Sequence, residues 1–173
     1  MRRRAAPPIT AVIALLTAHC GDGDSHPQPV VMHDAAVVPA QIQLGYYYST
    51  TYDPFQAGDD CPIFYGLQGG SWTMPAVRIR GLISPGRFNA SLITEAGEML
   101  GAINQRQTFN TQTDGWAEIK RLPIPAHHAP PNDDAPIDDL FNQRATLSMS
   151  ITDEEGHSAS ASADVVLVDN PIL

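Results

Sequence analysis

Between Ala145 and Leu167 the side chains change character at every residue. Ala145, Leu147, Met149 and Ile151 alternate with Thr146, Ser148, Ser150 and Thr152, and beyond Asp153-Glu154-Glu155-Gly156 the rhythm resumes at Ala159, Ala161, Ala163, Val165 and Leu167. A period of two puts one set of side chains on each face of a pleated strand, so two such runs joined by an acidic turn ending in glycine predict a hairpin with one buried face. The same grammar recurs upstream, where Phe88, Ala90 and Leu92 alternate before Glu95-Ala96-Gly97-Glu98 and Met99-Leu100-Gly101 continues beyond the turn. Further strands are expected over 41–49, 62–68, 76–82 and 116–121. No window keeps a helical period for more than about two turns. About seven strands in this spacing predict an all-β protein, an immunoglobulin-like sandwich over 41–173, with a barrel as the alternative topology.

The amino end obeys different rules. Arg2, Arg3 and Arg4 form a basic start, residues 9–18 are a short apolar run, and Cys20 follows with Gly21-Asp22-Gly23-Asp24-Ser25 behind it. That order predicts a secretory signal peptide over 1–19. The run is about half of the roughly 20 residues that a membrane-crossing helix needs, so a cleaved leader is the better expectation. Residues 20–40, with Pro27, Pro29 and Pro39, have too little to bury and are expected to form a flexible tether.

Ten basic residues against nineteen acidic ones give a net charge of −9, and removing the three leader arginines makes the remainder more acidic still. Phosphate backbones are bound by clustered Lys and Arg, so a nucleic-acid partner is excluded. With two cysteines in the chain, lipidation at Cys20 would leave Cys61 unpaired, whereas an unmodified Cys20 could bridge to Cys61 outside the inner membrane; the two readings exclude each other.

Two stretches resemble known families. The border around Cys20 resembles a bacterial lipoprotein signal, which implies a lipid anchor on that cysteine. Thr17-Ala18-His19 stand before it, with His19 where the pattern has a small residue, so ordinary cleaved export stays open beside it. The stretch ATLSMSITDEEGHSASASADVVLVD, residues 145–169, resembles the terminal strand pair of bacterial immunoglobulin-like and PKD-like domains, which implies a sandwich closed by that pair. Residues 65–81, YGLQGGSWTMPAVRIRG, are similar to a segment of uncharacterised exported lipoproteins of myxobacteria and their relatives, with Trp72 where those have a histidine. Neither family brings a catalytic residue.

Eight of the twelve aromatic residues, from Tyr46 to Trp72, fall within 27 positions. Aromatic faces with polar tips grip sugars and protein partners, so Tyr47, Tyr52 and Trp72 are the candidate ligand-binding residues. Neighbours on a strand face opposite sides, so if Tyr46 and Tyr48 are buried, Tyr47 is outside. Gly69-Gly70 lack the following Lys and helix of a phosphate loop and are expected to supply a tight turn. Arg78 and Arg80 share one face of their strand and are expected to pair with acidic neighbours. His127, His128, Asp133 and Asp134 are ligand types suited to Zn²⁺ or Ca²⁺, although their spacing matches no metal motif. They lie in 123–142, a stretch read as a long solvated loop with five prolines and four aspartates. Cys61 is expected to be a small buried side chain.

No nucleophile elbow, no His-Glu-x-x-His and no cysteine-protease setting is present. The reading is an exported, lipid-anchored β-sandwich that acts without catalysis as a binding or structural module of the cell envelope. No cofactor is expected, the partner is an envelope protein or a glycan, and the membrane is met only through Cys20. The alternative is a cation-dependent binder or metal-assisted hydrolase built on 123–142.

Overall fold

The structure is a computed structural model that describes residues 38–66, 69–112, 114–130 and 135–170. The expected leader, Cys20 and nearly all of the expected tether lie outside the described residues, as do Asp133 and Asp134.

Eleven strands run through the described residues: β1 (Gln41–Tyr48), β2 (Thr51–Pro54), β3 (Asp59–Tyr65), β4 (Ser71–Thr73), β5 (Ala76–Arg80), β6 (Gly86–Thr94), β7 (Met99–Gln107), β8 (Ala117–Ile119), β9 (Ile124–Pro125), β10 (Arg144–Asp153) and β11 (Ser158–Asp169). A short 3-10 helix, Ile137–Leu140, precedes β10. The all-β expectation holds, and β1 falls within the strand expected over 41–49. The strand count exceeds seven because β2, β4 and β9, of four, three and two residues, are too short to show a period of two.

Two sheets form the sandwich. The smaller has the order β2-β1-β5-β8 and the larger β7-β6-β10-β11-β3-β4-β9, with β11 and β3 its one parallel pair. The two ends of the larger sheet meet: His127 donates its amide to Leu100 O at 3.2 Å, and a Cβ placed on Gly101 would lie 2.0 Å from Pro125 O. Only glycine lets β9 come that close to β7. The larger sheet therefore rolls as a barrel does, although the architecture is a two-sheet sandwich.

The predicted hairpin is β10 and β11, in a register that sets Leu147 opposite Ala163, Met149 opposite Ala161 and Ile151 opposite Ala159. On the other side of β10 the same three residues face Leu92, Ala90 and Phe88 of β6. Alternating large and small side chains fill one layer without voids. From the smaller sheet Ile42, Leu44, Val77 and Ile79 complete the core with Ile63, Leu100, Leu122, Ile124 and Leu167, all buried.

Asp153 ends this inward row rather than standing in a solvated turn. It is 6% exposed, and its carboxylate accepts bonds from the amides of Ile83, Glu155 and His157 and from the His157 ring at 2.9–3.1 Å. Its place in the phase of Ala145, Leu147, Met149 and Ile151 was the sequence signal for burial. Burial by itself would raise this carboxyl, but the Ile83 and His157 amides and the His157 ring outweigh it and hold the group below the usual carboxylate range. A carboxyl held low stabilises the fold above its ordinary pKa and ceases to do so as pH falls through its folded value. Asp153→Asn is therefore expected to lower the denaturation midpoint at neutral pH, with the gap to wild type closing in acid. A gap that stays constant across a pH series would refute the role of the charge.

Candidate functional site

The outward face of the smaller sheet gathers aromatic rings and charged heads from all four of its strands or their flanks. β1 alternates, with Ile42 and Leu44 buried and Gln41 and Gln43 exposed. Tyr46 turns inward, edge-on to Phe55 at 5.4 Å, and Tyr47 turns outward, as the alternation requires. Tyr48 lies at the end of the strand and is 65% exposed.

Pairing of β1 with β2 sets Tyr47 opposite Tyr52, and their rings meet edge to face at 5.8 Å. On β5, Val77 and Ile79 are buried while Arg78 and Arg80 face outward. Pairing with β8 puts Glu118 beside Arg78, whose Nε donates to Glu118 Oε1 at 2.8 Å. The Tyr47 hydroxyl donates to the other oxygen of the same carboxylate. Each ring on this face also has a cation nearby: the Arg78 guanidinium 4.5 Å from the Tyr52 centroid, the Lys120 ammonium 5.1 Å from Tyr47, and the Arg80 guanidinium 5.9 Å from Trp116. Such contacts contribute about 0.5–1 kcal/mol each where exposed.

The electrostatics follow from this packing. Desolvation opposes ionisation of Glu118, but the Tyr47 hydroxyl and the bond and charge of Arg78 prevail and hold its pKa low. Desolvation raises Tyr52 despite the nearby Arg78, and desolvation together with Glu118 raises Tyr47. Both phenols therefore stay neutral hydrogen-bonding groups, and the Tyr52 hydroxyl is buried without a partner. The face can offer aromatic surface, guanidinium donors and a fixed carboxylate at once.

Trp72 is not part of it. It stands on β4 of the larger sheet, half-buried, where Gly66 and Gly70 crowd its ring so closely that a Cβ on either would fall within 2.8 Å of it. Tyr47 and Tyr52 are thus brought together and Trp72 is set apart, because β4 belongs to the other sheet. Gly69 and Gly70 both have positive φ, +87 and +86, as a tight connection requires. Sequence reasoning missed Trp116, Glu118 and Lys120, because β8 has only three residues and it is its pairing with β5 that sets Glu118 beside Arg78. The expected acidic partner exists for Arg78, whereas Arg80 stacks on Trp116 instead.

The histidine pair points two ways. His127 is exposed, with Nδ1 donating to His128 O at 3.0 Å. His128 is 8% exposed; its Nδ1 donates to Glu98 Oε1 at 3.1 Å and its Nε2 is buried without a partner. The amide of Ala129 donates to the same oxygen and, with His128, keeps the Glu98 pKa low. His128 thus ties the loop after β9 to the β6–β7 turn. Within 123–142 the expected loop is interrupted by β9 and the 3-10 helix, with Ile124, Ala126, His128 and Leu140 all buried. Among the described residues no three His, Cys, Asp or Glu side chains converge as metal ligands would.

Cys61 is fully buried and shares a hydrogen bond of 2.9 Å with the Thr73 hydroxyl, which in turn meets the Tyr46 hydroxyl at 3.3 Å. Burial pushes its thiol up to about 11. A thiol that stays protonated is a poor nucleophile, and the hydrogen bonds of this cluster link β1, β3 and β4.

Fold and site together define a two-sheet β-sandwich whose smaller sheet carries an aromatic and cationic outer face. No family model matches the chain, and no curated protein matches it. Among solved structures, the crystal structure of CopC from Methylosinus trichosporium OB3b is similar at 10% identity, over 68% of this chain and 90% of that one, with a TM-score of 0.31.

Proposed function

We propose that this protein is a non-enzymatic binding module of the bacterial cell envelope, exported through residues 1–19 and anchored by lipid at Cys20, that holds a glycan against the outward face of its smaller sheet. The observation that carries the reading is the grouping of Tyr47, Tyr52 and Trp116 with Arg78, Arg80, Lys120 and Glu118 on one face of an otherwise acidic chain. A sugar presents C–H groups that pack on aromatic rings and hydroxyls that bond to a guanidinium–carboxylate pair, and this face supplies both. The basic start and the apolar run over 9–18, with Cys20 close behind, support export.

The test is a glycan array probed with wild type and with the double variant Tyr52→Ala/Arg78→Ala. Wild type is expected to retain a saccharide, and the variant to lose most of that retention while keeping its β-sheet circular-dichroism spectrum. Equal retention by the two proteins moves the ligand off this face, and an array with no wild-type signal rejects the glycan. An intact mass that starts at Cys20 with an added diacylglycerol supports the anchor; a cleaved chain with no lipid removes it.

A further inference from the structure

Each sheet has two edge strands, and three of these four edges are blunted. β2 has four residues and ends in Pro54; β8 has three and is bridged from outside by Thr111; β9 has two, one of them Pro125. Brevity, proline and covering are the usual means by which sheets avoid pairing with another chain. The fourth edge has none of them over most of its length. β7 is nine residues long, MLGAINQRQ, without proline or lysine. Its outer side chains Ala102, Asn104 and Arg106 are exposed. Among the described residues its only main-chain bond outside the β6 ladder is the one from His127 to Leu100. From Ala102 to Gln107 the edge is open.

We infer that this edge pairs with the same edge of a second copy, antiparallel about a two-fold axis at Gln105, joining the two larger sheets into one. The register follows from three constraints. β9 already occupies the edge at Leu100, so the pairing must lie beyond Gly101. A two-fold axis perpendicular to the sheet sets residues of the same face opposite each other, which leaves Asn104 or Gln105 as the centre of the open stretch. Centring on Asn104 would set Arg106 against Ala102 of the second copy, which has no acceptor. Centring on Gln105 sets Arg106 against Asn104 of the second copy, twice by symmetry. Asn104 already accepts a guanidinium within its own chain, from Arg87 at 2.7 Å, and its amide oxygen has a second lone pair. Arg87 stands opposite Arg106 on β6, so four arginines come near the axis; Glu154 of the same chain is paired with each Arg106 and Asn104 of the same chain with each Arg87, which moderates their repulsion. Beyond Arg87, the face neighbouring this edge is built from the short side chains of Asn89, Ser91, Ser148 and Ser150. The aromatic face belongs to the other sheet and stays free in both copies.

Sedimentation of the full chain over a concentration series tests this, with two substitutions at one exposed position. Wild type is expected to approach twice the mass of a single chain as concentration rises. Asn104→Lys places a second cation against Arg106 of the other copy and is expected to stay monomeric throughout. Asn104→Glu places an anion there and is expected to dimerise at least as tightly as wild type. Unchanged thermal midpoints in both variants would show that the fold is kept. A wild type that is monomeric at every concentration, a dimeric Asn104→Lys or a monomeric Asn104→Glu each overturns the inference, the last because only the Gln105-centred register opposes residue 104 to Arg106.

Discussion

Replacing Phe88 with alanine is expected to lower the unfolding free energy by about 3–5 kcal/mol, the range for removing a fully buried aromatic ring. Phe88 has no exposed surface, stands opposite Ile151 on β10 and meets Phe109 edge-on at 6.2 Å. Ala90 and Leu92 follow on the same inward side of β6, and Gly86 is already pressed against Ile151 and Phe109. One position away the opposite holds. Asn89 faces out, and Asn89→Ala is expected to stay within about 0.5 kcal/mol of wild type, as surface substitutions usually do. Urea denaturation of the two variants measures the difference. Similar losses at 88 and 89 would mean that side chains do not change sides along β6.

The second large effect is expected at Gly101. Any Cβ there would stand 2.0 Å from Pro125 O and 2.6 Å from Pro125 C, both main-chain atoms that no rotamer change can move. Gly101→Val must therefore push β9 away from β7 and break the contact that joins the ends of the larger sheet. A loss of about 3 kcal/mol or more is expected, at the upper end for overpacking, which for a domain of this size lowers the melting midpoint by roughly 10 °C. Gly97, whose surroundings are open but whose φ is +87, provides the comparison for backbone strain without a close approach. A Gly101→Val protein that melts with wild type would place β9 elsewhere.

What could be read in the sequence follows from how long each periodic run is. β6, β10 and β11 are nine to twelve residues long, and their phase fixes which side is buried without knowledge of any partner. The same logic set Tyr47 on the face opposite Tyr46, and put Arg78 and Arg80 opposite Val77 and Ile79. β4 and β9 carry no such signal, because three and two residues cannot display a period, so the sheet membership of Trp72 was not legible and its separation from Tyr47 and Tyr52 had to come from the structure. Long-range pairings were equally hidden. Nothing in the order of residues says that β11 lies parallel to β3, that Glu118 meets Arg78 across 40 positions, or that Glu98 reaches His128. Asp153 was misjudged for a different reason, since a carboxylate beside two glutamates and a glycine has the composition of a solvated turn. Its phase in β10 outweighed its chemistry, and three amides and an imidazole made the burial tolerable.

The proposal that the smaller sheet is the binding surface is tested most directly by mapping amide chemical shifts during titration with the saccharide best retained on the array. The account predicts saturable shifts at Tyr47, Tyr52, Arg78, Trp116 and Glu118, with the amides of Ser91, Ser148 and Ser160 on the outer face of the larger sheet unmoved. Shifts that cluster instead on β6, β7, β10 and β11, with the smaller sheet silent, would contradict it.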